Sequence, residues 1–132
     1  SVGNRKACCE VRKVRPLNRE LKGAQGWITG VRREHSDERS DVELASWDEE
    51  RGLMKVNPIA DWSTQGLTAY IAENHIPVNP LHARGFISIG CQPCTRAVQP
   101  GEHPRAGRWW WENEEKKECG LHMNPRREGK AA

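Results

Sequence analysis

Five cysteines are the residues best suited to chemistry in this chain, and their spacing divides them four and one. Cys8 and Cys9 are adjacent, Cys91 and Cys94 form a C-x-x-C, and Cys119 stands apart in KKECGLH, with His122 three positions after it. A disulfide framework fits poorly, because the number is odd and adjacent cysteines bridge each other only with strain. Zinc held by four thiolates usually takes two spaced pairs, and Cys8-Cys9 lacks the spacer. An iron–sulfur cluster tolerates adjacency better, since neighbouring residues can reach different irons and thiolates suit it by softness. The spacing favours a cluster and leaves zinc open. A thioredoxin-like dithiol at Cys91-Gln92-Pro93-Cys94 is disfavoured: that motif opens a helix, whereas Thr95-Arg96 leads toward prolines and glycines.

Cys119 is the thiol left over. The thiolate is the nucleophilic form and cations stabilise it, a role that Lys116, Lys117 and His122 could fill locally. Basic residues gather in 5–22, at Arg32-Arg33 and in 96–108, and acids in 37–51 and 112–118, within a net charge of only +3. Basic runs that converge in space would hold a phosphate or sulfate; runs that do not are a solvated surface. Nucleic acid would need a wider basic face with interleaved aromatics, which is not evident. His35, His75, His82 and His103 lack ligand spacing and read as structural or exposed. Trp109-Trp110-Trp111 reads as a packing plug near the cluster rather than a stacking platform.

The elements that must position these groups are short. The 132 residues suit one domain, but only 36% are hydrophobic, the mean hydropathy is -0.86, and 12 Gly and 8 Pro punctuate the chain, so the core should be thin. Residues 8–22 read as a helix broken at Pro16 and ending before Gly23. GWITG at 26–30 reads as a buried strand, followed by a polar loop over 32–39, a common place for ligand contacts in α/β sheets. LMKVNPI at 53–59 reads as a second strand. A helix should begin near Thr64, capped by Ser63 or Asp61, and run through Glu73 with Trp62, Leu67, Tyr70 and Ile71 as its core stripe. Glycines in 85–90 would allow close backbone approach to a cluster. Residues 124–132 are expected to be disordered. No apolar run is long enough to span a membrane and no presequence is visible, which predicts a cytoplasmic protein. The abrupt start predicts that the chain is a piece of something longer.

CCEVRKVRPLNREL, GWITGVRREHS, LMKVNPIADW, GFISIGCQPCTRAVQPGEHPRAGRWWWE and KKECGLH occur in this order from Cys8 to His122. In these motifs the chain resembles the assimilatory adenylylsulfate (APS) reductases, the iron–sulfur sulfonucleotide reductases of the PAPS reductase family. The resemblance implies the C-terminal part of an adenine nucleotide alpha hydrolase-like doubly wound α/β fold, with a cluster-bearing part over 1–111 and a mobile tail over 112–132. It implies a 4Fe-4S cluster on Cys8, Cys9, Cys91 and Cys94. Relatives that use the 3'-phosphorylated nucleotide lack those pairs but keep the tail motif, which favours APS as substrate.

The implied reaction belongs to sulfate assimilation and cysteine biosynthesis. The residue matching Cys119 attacks the sulfur of APS, AMP leaves, and the S-sulfocysteine is resolved by thioredoxin or a glutaredoxin-like dithiol to free sulfite. Residues matching Lys13, Arg39, Arg105 and Arg108 contact the substrate or lie between it and the cluster, and His122 matches a histidine close by. Arg32 and Arg33 read as structural. The cluster's implied part is structural and electrostatic, tuning charge near the sulfate through Lys13. Homo-oligomerisation is left open.

Departures qualify the match. Family members carry a preceding half with an S-G-G-x-D-type phosphate loop that is not in this sequence, so weak turnover is expected from these residues alone. The competing expectation is a catalytically weak module that keeps a cluster or zinc for folding. Gly66-Leu67-Thr68 and Val78 depart from the family's tendency away from the proposed site.

Overall fold

The structure, a computed structural model, describes residues 2–112 and 119–122. Its first element is one helical stretch made of α1 (Val2–Cys9), a π-helical segment (Glu10–Val14) and α2 (Arg15–Glu20). The helix therefore starts earlier than expected, and Pro16 does not break it. Pro16 lies in the first turn of α2, and in the wide turn before it the Arg15 N–H reaches back to the Glu10 carbonyl, making room for the ring.

β1 (Gly26–Ile28), β2 (Ala45–Asp48) and β3 (Leu53–Val56) form a mixed sheet in the order β1-β3-β2. β1 runs parallel to β3, with Trp27 beside Lys55, and β2 runs antiparallel to it, with Asp48 beside Leu53. Side chains alternate between the two faces. One face carries Trp27, Ser46, Asp48, Leu53 and Lys55, all buried or half-buried. The other carries Ile28, Ala45, Trp47, Met54 and Val56 and is open apart from the half-buried Val56. The buried strand expected at 26–30 is thus an edge strand whose Ile28 is 77% exposed. β3 falls where LMKV places it. β2, within an acidic run, is joined to β3 through residues 49–52, where Gly52 takes φ 67 and donates its N–H to the Asp48 carbonyl at 2.7 Å.

The C-terminal ends of the parallel pair hold the loop that follows β1. The Thr29 hydroxyl donates to Asn57 Oδ1 and accepts the Val31 N–H, while the Arg33 N–H bonds the Ala60 carbonyl at 2.8 Å. Two 3-10 turns, Arg33–His35 and Asp37–Arg39, follow. α3 (Thr64–Glu73) begins as expected, with Ser63 Oγ accepting the Gly66 N–H at 2.9 Å. Its stripe is not core: no residue of α3 is buried, and Trp62 meets Tyr70 edge to face at 5.1 Å on the surface. Among the described residues the buried apolar ones are Cys9, Val14, Val31, Leu53, Ala60 and Trp109.

The fold is a small α/β arrangement, and none of its described helices is long and apolar enough to cross a membrane. Of the expected tail over 112–132, Glu112 and residues 119–122 are described, and the disorder expected over 124–132 falls outside the described residues.

Candidate active site

Lys13, Arg39, Arg105, Arg108, Cys119 and His122 line one cavity of about 420 Å³. Lys13 comes from the π-helical segment, Arg39 from the second 3-10 turn after β1, and Arg105 and Arg108 from the loop beyond the C-x-x-C. These four cations, with Arg32 as a fifth in the lining, suit a multiply charged anion, since guanidinium forks pair with phosphate or sulfate oxygens.

The loop over 90–109 fixes Arg108. Thr95 Oγ1 donates to the Cys91 carbonyl and accepts the Gly90 N–H, and Thr95 bridges to Arg108. Arg108 Nη1 lies 3.1 Å from the Ile89 carbonyl, and the guanidinium rests on Gly90, where a Cβ would come within 2.5 Å of Cζ. The close approach that glycine permits here is to an arginine of the cavity. Upstream, Arg96 grips Glu102 with two 2.9 Å hydrogen bonds, and Gln99 donates its N–H to the same carboxylate. The Arg96 fork first, with that N–H, holds the Glu102 carboxyl down to about 2.

Trp109 is 1% exposed, has the guanidinium groups of Arg5 at 4.5 Å and Arg108 at 4.6 Å over its rings, and takes φ 45. A left-handed backbone at a bulky residue persists only where its surroundings hold it. The expected plug is therefore Trp109 alone; Trp110 and Trp111 are exposed and meet edge to face at 4.7 Å.

Arg32 belongs to the same lining and is buried and bound, donating to the Trp62 carbonyl and to Thr64 Oγ1. Glu34 accepts the Thr64 N–H at 2.7 Å and its hydroxyl at 2.9 Å, and these two bonds, with Arg32 nearby, hold its carboxyl below the usual range. His35 also lines the cavity, with Nδ1 3.3 Å from the Arg32 N–H and 3.4 Å from Arg39 Nη1. Sequence reasoning set His35 aside for want of ligand spacing. Its position in the polar loop after a strand was the available signal.

Cys119 is half-buried, and Gly120 after it turns the chain at φ 90. His122 stacks on Trp27, with ring centroids 5.6 Å apart and planes 4° from parallel. The nucleophile candidate also neighbours a cysteine of the first pair. Burial pushes the Cys9 thiol up, the Cys119 charge adds to this, and Lys13 and Arg5 oppose it.

Residues 2–97 match the phosphoadenosine phosphosulfate reductase domain. The chain belongs to that family. It is 60% identical over 124 residues to the adenosine 5'-phosphosulfate reductase of Rhizobium tropici, covering 94% of this chain and 69% of that protein. It is 60% identical to the enzyme of that name from Rhizobium meliloti (strain 1021), over 93% of this chain and 46% of that protein. The corresponding Neisseria meningitidis protein is 54% identical over 92% of this chain and 50% of its own length. Apart from the Rhizobium tropici protein, the chain spans about half the length of these relatives.

For a member of the phosphoadenosine phosphosulfate reductase family, the other four cysteines need an account. Cys8 is exposed, Cys9 buried, and Cys91 and Cys94 half-buried, and none is in a disulfide. The Arg5 charge bears on Cys9, the Arg5 guanidinium lies over Trp109, and the Trp109 backbone N–H donates to the Cys94 carbonyl at 3.1 Å. Both pairs therefore abut one buried unit, although no three metal-binding side chains come together among the described residues. Four free thiols are a donor set that fits a thiolate-bound iron–sulfur group.

Proposed function

We propose that the chain supplies the catalytic thiol and the anion-binding cations of an adenylylsulfate reductase, which reduces adenylylsulfate to sulfite and AMP in assimilatory sulfate reduction and cysteine biosynthesis. The observation that carries this is the convergence of Cys119 with Lys13, Arg39, Arg105, Arg108 and His122 on one cavity. The names of the relatives supply the substrate.

The Cys119 thiolate attacks the sulfate sulfur, a Cys119 S–S bond forms, and the bond from that sulfur to the bridging oxygen breaks. AMP leaves with the electron pair. Lys13 and the three arginines neutralise the sulfate in the ground state and the charge that grows on the leaving phosphate. An external dithiol of the thioredoxin or glutaredoxin class then attacks Cys119 Sγ and expels sulfite. Its second thiol breaks the mixed disulfide, so two electrons come from the dithiol and Cys119 returns as a thiol. Placement on the loop Cys119–His122 suits a sulfur that must meet both a small anion and a protein reductant.

Cys8, Cys9, Cys91 and Cys94 would hold a 4Fe-4S cluster, whose charge would act on the site through Lys13, the cation that already bears on Cys9. The small α/β sheet is read as the C-terminal part of a doubly wound nucleotide-binding fold. The full activity, in the cytoplasm, is assigned to a protein with the further chain length that the relatives carry.

The test is transfer of radiolabel from [35S]adenylylsulfate to the protein, with and without the half of the Rhizobium meliloti relative that this chain does not match added in trans. Label is expected on Cys119, lost in Cys119→Ser and released as sulfite by reduced thioredoxin. Absence of transfer in both conditions would overturn the proposal. Transfer only with the added half would show that these residues hold the thiol but not the whole pocket.

A further inference from the structure

We infer that Trp27 is a positioning residue for the Cys119 thiol: its indole face is the plate on which His122 seats, holding the loop Cys119–His122 with its sulfur in the cavity. The significance of this contact rests on the proposed nucleophilic role of Cys119; its geometry does not.

Trp27 is the middle residue of β1, paired in register with Lys55 of β3, so the plate stands on a strand rather than a loop. Two cations also lie against the ring. Lys55 Nζ lies 5.2 Å and Arg51 Cζ 5.6 Å from the ring centroid, and Arg51 is itself held by Asp48 at 2.8 Å and by Asn18 at 2.7 Å. The indole N–H is buried and has no hydrogen-bond partner among the described residues. An indole usually finds such a partner when buried, so this ring is placed for its face.

The loop has a second support. Gly120 takes φ 90, and a Cβ there would stand 3.6 Å from Val14 Cγ2, so the turn rests against the helix that carries Lys13. Cys119 is thus bracketed by a turn against Val14 on one side and a ring stack at His122 on the other. Neither contact uses the sulfur, which is left for the cavity. A stacked aromatic pair shifts such a docking equilibrium by roughly three- to tenfold.

The test reads steric access to Cys119 in the whole chain. For each variant, the rate of Cys119 labelling by a polyethylene-glycol maleimide is divided by the rate with N-ethylmaleimide, which cancels changes in thiolate fraction; the labelled cysteine is identified by peptide mass. Trp27→Ala and His122→Ala are each expected to raise this ratio roughly three- to tenfold. The double variant should go no further than either single, and Trp27→Phe and His122→Phe, which keep a ring, should stay near the wild type. Multiplying effects in the double variant, or an unchanged ratio in both alanine variants, would overturn the inference. If Trp27→Ala unfolds the chain, all five cysteines will label together, and the pair His122→Phe against His122→Ala decides: equal ratios overturn it. None of these readouts involves adenylylsulfate, so failure here and failure of radiolabel transfer are separate results.

Discussion

His35 shows how a side chain outside the expected set can govern one inside it. Its Nδ1 faces the Arg32 N–H and the Arg39 guanidinium, so Nδ1 must accept and the ring proton must sit on Nε2. That makes His35 a support for Arg39. His35→Ala is expected to weaken adenylylsulfate binding roughly threefold to tenfold, about the worth of one ordinary net hydrogen bond, because the lost bond supports Arg39 and not the ligand itself. His35→Gln, which can offer a carbonyl at a similar reach, should restore most of it. The check is calorimetric titration with adenylylsulfate, using the two-part protein if the chain alone does not bind. Equal losses in Ala and Gln would mean that the imidazole packs rather than accepts. Spacing alone could not show this, because a positioning histidine needs one partner and carries no motif.

At the scale of elements, the cavity depends on short clips rather than on long helices. The loop toward Arg105 and Arg108 is closed by Arg96–Glu102, and the loop from β1 is tied to the start of α3 by Glu34–Thr64. Both carboxyls are held below their ordinary value, Glu102 to about 2. A carboxyl lowered in the fold contributes stability above its unfolded value and loses it as pH falls through the folded one. Thermal stability should therefore decline as pH falls from 4.5 toward about 2, and Glu102→Gln should flatten that decline. Parallel melting curves against pH for the wild type and the variant are the measurement; identical slopes would remove Glu102 from the account. Elements with a local signal were legible in the sequence: LMKV as a strand, Ser63 as a cap, the polar loop after GWI. β2 was not, because Ala45–Asp48 shows its alternation only when paired with β3. Nor was the continuity of α1 and α2, since Pro16 signals a break while the π turn that accommodates it leaves no mark in composition. The cations of the cavity come from the first helical stretch, the loop after β1 and the loop after the C-x-x-C. The family resemblance, not the spacing, named them together.

Over the whole molecule, apolar surface is distributed in a way that a small isolated fold does not favour. Ile28, Ala45, Trp47 and Met54 lie exposed on one open sheet face, and α3 leaves Tyr70 exposed as well, while few apolar side chains are fully buried. β1 adds an edge with unpaired backbone groups, a template for further pairing. Contiguous apolar patches of this kind mark surfaces that another polypeptide covers. Most of the relatives compared are about twice as long as the stretch matched here, and their additional chain is the natural cover. The chain alone is therefore expected to self-associate as its concentration rises, with Trp47 as the main contributor, being large, 58% exposed and beside Met54 of the central strand. Trp47→Lys should shift the sedimentation profile toward monomer, because a charge on that face must be desolvated for a second sheet to dock. The substitution lies on the face away from Trp27 and Lys55, so the ratio of bulky to small maleimide labelling at Cys119 should not change with it. Adding the half of the Rhizobium meliloti relative that this chain does not match should likewise suppress association of the wild type, and should do so less effectively for Trp47→Lys. A wild-type chain that stays monomeric at every concentration would show that the open face is not adhesive, and equal suppression in both proteins would place the contact elsewhere.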